Sequence, residues 1–148
     1  MNELIVLGAA VAAVVVCVLI HYQAFRSLTG LMGRWRVRRR GLIVMVLGLI
    51  AVHCVAIGVF AALYAVLNVQ GPFGSIASHL TSGTELALSE YFYFSAVVYT
   101  TLGFGDLVPH GFLRVVTAIE AIAGFSLITW SASFTFLEMQ QFWVSEDR

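Results

Sequence analysis

The sequence predicts an all-α membrane protein with three transmembrane helices and a fourth, re-entrant one, and three observations carry that expectation. The 148-residue chain is 60% hydrophobic and 11% charged with a mean hydropathy of +0.93, outside the balance of a soluble domain. Its apolar residues gather into three runs beginning near Leu4, Leu42 and Phe112, each reaching the roughly 17 to 25 residues that cross a bilayer. Between the second and third runs lies a helical pattern too short to cross, followed at once by Thr100-Thr101-Leu102-Gly103-Phe104-Gly105-Asp106.

The first run extends from Leu4 to Ile20. Met1-Asn2-Glu3 supplies no positive charge ahead of it and no small-residue cleavage pattern precedes Tyr22, so residues 1–22 read as an extra N-terminal transmembrane helix and not a removed leader. His21 and Tyr22 suit its interfacial end. Residues 23–41 form a polar connector broken by Gly30, Gly33 and Gly41. The chain has no lysine, and Arg34, Arg36, Arg38, Arg39 and Arg40 crowd this connector. The positive-inside rule then places it in the cytoplasm, with the N-terminus outside, the C-terminus inside, and the plasma (inner) membrane as the expected location. The same arginines suit anionic lipid headgroups at about 1 kcal/mol per charge, although orientation alone accounts for them. Cys17 and Cys54 lie inside apolar runs and read as small buried hydrophobes, with no disulfide or metal site expected.

The second helix is expected over 42–67. Gly48, Ala51, Gly58, Ala61, Ala62 and Ala65 permit close packing, expected against the last helix, and His53 reads as an interhelical hydrogen bonder ahead of a proton sensor. Residues 68–88 shift to glycine, proline, serine and threonine and form an outer loop, in which His79 is exposed. Ser89 caps a short helix over 89–100, with Glu90 suited to its N-terminal end. At 1.5 Å per residue this helix covers about 15 to 17 Å, half a crossing, so the chain must turn back. Backbone that is irregular at that depth is tolerated only where it lines protein or a water-filled path.

Residues 101–105 have the chemistry for such a path. A row of carbonyls aimed at one axis requires neighbouring residues to alternate between right- and left-handed conformations, and Gly103 and Gly105 permit this. Thr101 adds a hydroxyl to the ladder of oxygens that can replace a cation's hydration shell. One chain supplies one wall, so the ring needs several copies, and a symmetric homotetramer with three identical partner subunits is the natural closure. Asp106, Glu85 and Glu90 add negative charge on the outer side and raise the local cation concentration.

This stretch resembles the selectivity filter of the potassium-channel pore family, whose pattern reads T-T-V-G-Y-G-D, with Leu102 in place of valine and Phe104 in place of tyrosine. The resemblance spans about residues 42 to 137 and makes 42–148 a pore domain. It implies a channel that conducts potassium passively. Ions would sit among the carbonyls of Thr101, Leu102, Gly103, Phe104 and Gly105, with no cofactor beyond the bound potassium ions. It also implies that the inner helix, 112–140, lines the inner pathway. Aligning Arg114 with the family's basic residue at the start of that helix puts Gly124 at the hinge glycine, where either bending or close packing would explain it. Phe125, Ile128, Ala132 and Phe136 share one stripe, with Phe136 the candidate hydrophobic constriction.

Glu120, an acid inside the last span, must face protein or water. It is expected to pack behind the pore helix and brace the filter through a hydroxyl such as Thr100 or Ser95, against the alternative of a carboxylate in the cavity. The family's tryptophan pair in the pore helix is replaced here by Tyr93 and Phe94. Tyr93 can still donate to Asp106, while Phe94 and Phe104 are left with apolar packing. Val97 stands where some members carry a glutamate. With these supports changed, a weakly selective cation channel on the same fold and a non-conducting accessory subunit stand as alternatives. No span carries the arginine spacing of a voltage sensor, no ligand-binding domain is expected after the last span, and nothing points to catalysis or nucleic-acid binding.

Overall fold

The computed structural model describes residues 2–34, 38–69, 73–78 and 86–144. In chain order the elements are α1 (Asn2–Arg34), α2 (Arg38–Val69), β1 (Ile76–Ser78), α3 (Leu88–Tyr99), β2 (Leu107–Pro109) and α4 (Leu113–Val144). The stretches Glu3–Leu31, Gly41–Asn68 and Leu113–Gln140 are each long and apolar enough to cross a membrane.

α1 runs well past the expected end at residue 22. Residues 23–34 continue it, with Gly30 and Gly33 inside α1 and Gly41 inside α2. A glycine costs a helix only about 1 kcal/mol against alanine, which is too little to break one whose amides have few other partners beside a bilayer. Arg34 therefore ends α1 and Arg38, Arg39 and Arg40 begin α2, while Arg36, like His79 and Glu85 in the outer loop, lies outside the described residues.

The main core joins all four helices. Val6, Ala10, Ala13 and Cys17 of α1 meet Ala56, Phe60 and Tyr64 of α2, Phe94 and Tyr99 of α3, and Leu113, Val116 and Leu127 of α4. A smaller cluster of Phe25, Met45 and Leu49 lies further along, where the Phe25 ring stacks on Phe134 at 4.5 Å between centroids and meets Trp130 edge-on at 4.8 Å. The small residues of α2 divide: Ala61 is buried and Ala65 half-buried in the core shared with α4, and the others lie elsewhere. Gly48 faces Leu28 of α1, Ala51 and Ala62 are exposed, and Gly58 has open space beside it. α1 takes up a flank that a two-helix pore reading leaves to solvent or lipid. Cys17 and Cys54 are free thiols, the first buried and the second exposed.

The outer loop contains a feature not expected from composition. β1 and β2 pair antiparallel, with Ile76 opposite Pro109 and Ser78 opposite Leu107. The His110 N–H donates to the Ser75 carbonyl at 2.7 Å and the Phe112 N–H to that of Phe73 at 2.9 Å. Residues just after 101–106 are thereby clasped to the segment that follows α2.

Candidate ion-conducting site

α3 is twelve residues long, starting at Leu88 and not at Ser89. Its N-cap is Ala87, because Glu90 reaches back and accepts the Ala87 N–H at 2.7 Å, leaving no capping task for the Ser89 hydroxyl. At its far end the chain leaves the helix in a tight turn. The Thr101 N–H donates to the Val98 carbonyl at 2.9 Å, and the Leu102 N–H to that of Val97 at 3.0 Å.

From there the backbone alternates. Thr101, Gly103 and Gly105 have φ of 60°, 59° and 81°. Every second residue is thus left-handed, the geometry a carbonyl ladder requires. Within one chain it is conformation and not space that calls for the glycines, since a Cβ at Gly103 or Gly105 would meet nothing within 4 Å. Thr101 adopts the same conformation without that freedom, at a cost of about 1–2 kcal/mol for a residue bearing a Cβ. The sequence pattern identifies the two glycines as permissive positions but gives no sign of a strained threonine. Leu102 and Phe104 are 61% and 66% exposed in the protomer.

The surrounding side chains fall into three groups. Tyr93 donates to the Asp106 carboxylate at 2.8 Å. This bond, helped by backbone N–H groups at Asp106 and Leu107, outweighs partial desolvation and holds Asp106 below the usual carboxylate range, while the tyrosine is pushed up. Phe94 does not pack on Phe104 within the protomer; it is buried edge-on against Tyr64, with ring centroids 5.0 Å apart.

Behind α3, Glu120 is fully buried. It accepts the Ser95 hydroxyl at 2.5 Å and the Tyr64 hydroxyl at 2.6 Å. Ser95 also lies 2.9 Å from the Ile57 carbonyl, so α2, α3 and α4 meet at one carboxyl. Thr100 is not its partner, since that hydroxyl donates back to the Ala96 carbonyl at 2.7 Å. Tyr64 completes this group, and its signal in the sequence is a phenol inside an apolar run, which needs a partner once buried.

The third group is aromatic. His21 is wholly buried, within an apolar span that continues past it to Leu31. Its Nε2 lies 3.2 Å from His53 Nδ1, which in turn lies 2.8 Å from the hydroxyl of buried Tyr99.

On α4, Phe125, Ile128, Ala132 and Phe136 form an exposed strip, and Ile122 is exposed close by. Gly124 is not part of it. It faces α3, where an added Cβ would lie 2.2 Å from the Tyr99 carbonyl oxygen. Of the two explanations expected for this glycine, bending or close packing, close backbone approach is the one this geometry supplies.

A family model described as "Ion channel" matches residues 42–141, from the start of the second span almost to the end of α4. The chain belongs to this ion channel family. No curated protein and no solved structure matches the channel. Its three apolar helices make it an integral membrane protein. α1, with His21, lies outside the matched region, whereas the 101–105 segment, Glu120 and the exposed strip of α4 all lie within it.

Proposed function

We propose that this protein is a potassium-selective channel, conducting passively down the electrochemical gradient through one pore surrounded by four copies. The reading rests on the alternating left-handed backbone at Thr101, Gly103 and Gly105 directly after a half-crossing helix. Successive carbonyls of such a segment can face one axis, and four walls of them replace a hydration shell. Ions occupy sites between the carbonyls of Thr101, Leu102, Gly103, Phe104 and Gly105, with the Thr101 hydroxyl closing the innermost. Phe125, Ile128, Ala132 and Phe136 line the inner pathway, and Phe136 gates it by dewetting. The N-terminus lies outside the plasma membrane, and Arg34, Arg36, Arg38, Arg39 and Arg40 meet anionic headgroups on the cytoplasmic side.

A weakly selective cation channel is the second reading, favoured by Phe104, which has no hydroxyl to be braced and is exposed in the protomer. Potassium flux from liposomes holding the purified protein separates the two. Barium-blocked potassium flux with little sodium flux is expected; equal sodium flux would establish the second reading, and no flux from an assembled protein would point to an accessory subunit.

Asp106 concentrates cations at the outer mouth. Because Tyr93 holds its carboxyl low, the charge survives mild external acid and is lost only as pH falls through the lowered value. Tyr93→Phe lifts the carboxyl towards its ordinary range, so acid block of conduction should set in at higher external pH, with current at neutral pH little changed. Identical acid-block curves for the two proteins would show that this bond does not act on permeation.

A further inference from the structure

Three rings link α1, α2 and α3 in one polar chain, with His21 and Tyr99 buried and His53 half-buried between them. His21 Nδ1 lies 2.8 Å from the Cys17 carbonyl. A carbonyl only accepts, so Nδ1 carries the hydrogen and, in the neutral ring, Nε2 offers a lone pair. That lone pair faces His53 Nδ1 at 3.2 Å. His53 Nδ1 also lies 2.8 Å from the Tyr99 hydroxyl, the shorter of its two contacts; a ring nitrogen carries at most one hydrogen, and the phenol can donate to its lone pair or accept from its N–H. The His21 and His53 rings also pack at 4.8 Å between centroids, and those of His53 and Tyr99 at 5.7 Å.

Tyr99 is the last residue of α3, fully buried, two positions before the left-handed Thr101. Its side chain is held by α2 and α1, and its carbonyl is pressed against Gly124 of α4. A residue gripped at both ends fixes where the helix stops and the carbonyl ladder begins.

We propose that His21 and His53 are positioning residues for ion discrimination, acting through Tyr99, so that the N-terminal helix is a working part of the filter's support. None of the three rings touches an ion; they limit how far the turn at Thr100 and Thr101 can relax. His21 contributes from outside the segment shared with the ion channel family, which gives α1 a task that packing around the bundle does not require. The inference rests on the potassium-selective reading for its clearest readout.

The test uses the full chain in liposomes, comparing His21→Phe, His53→Phe, Tyr99→Phe and the His53/Tyr99 double variant with wild type. Losing one neutral hydrogen bond changes an equilibrium about three- to tenfold. The potassium-to-sodium permeability ratio should fall by that factor in His53→Phe and in Tyr99→Phe, and the double variant should fall no further than either. His21→Phe should shift the ratio in the same direction by less, and His53→Gln, which keeps both a donor and an acceptor, should recover most of the loss. Tyr99→Phe removes a single oxygen and stays readable if His53→Phe fails to assemble. A wild-type protein that passes both ions equally would overturn the selective reading alone. The positioning role is then read from unitary conductance, expected to fall with the same non-additive pattern. Variants that leave both ratio and conductance at wild-type values, or whose effects simply add, would overturn the positioning role.

Discussion

Gly124→Ala is expected to destabilise the channel by about 3 kcal/mol, the upper end of what one inserted methyl does in a packed interior. The added Cβ would sit 2.2 Å from the Tyr99 carbonyl oxygen and 2.9 Å from its Cα. Both are backbone atoms, so no rotamer change relieves the overlap, and α4 must move away from α3. Heating the purified protein and following the fraction that stays assembled measures this. The same variant distinguishes the two roles a glycine can have there. At a hinge, alanine stiffens α4 and alters gating while leaving stability near wild type; at a contact, stability falls first. Unchanged heat resistance with altered opening would restore the hinge.

Glu120→Ala should destabilise by about 2–4 kcal/mol, the sum of a cavity and two hydroxyls losing their acceptor. The upper end is not expected, because each hydroxyl has a fallback: Ser95 can turn to the Ile57 carbonyl at 2.9 Å, and Tyr64 to Thr117 at 3.4 Å. Glu120→Gln keeps the shape and one acceptor oxygen and should cost about 1 kcal/mol. Its informative readout is functional. If the carboxyl holds α3 in place behind the filter, the glutamine channel should show faster decay of ion flux under sustained conduction. A glutamine channel with wild-type conduction and decay would reduce Glu120 to a structural anchor.

The spans and the short helix were legible because membrane length and backbone satisfaction leave few choices, and the glycine spacing at 103 and 105 has few other uses. Glu120 was legible for a related reason: a lone acid among apolar residues must find partners, and Ser95 was within reach of a helix packed behind α3. What stayed hidden depends on neighbours that no local pattern encodes. The continuation of α1 through Gly30 and Gly33 reflects the weak penalty of glycine where amides have no alternative partner. The role of Gly124 depends on which backbone lies opposite, and burial of His21 on α1 lying against α2. Tyr64 and Tyr99 were overlooked because tyrosine suits an interface as readily as a core, and only the paired carboxyl or imidazole decides. The clasp between β1 and β2 involves three residues on each side, too few for alternation to register.

Thr101 places local backbone strain in the segment that follows α3. A β-branched residue at a φ of 60° stays there only while its surroundings insist. In the proposed ring of copies each would bring one such threonine, so the strain that the surroundings must hold would grow with the number of copies. On that proposal, an ion bound among the carbonyls would share with the packing around α3 the task of holding this segment in its strained form.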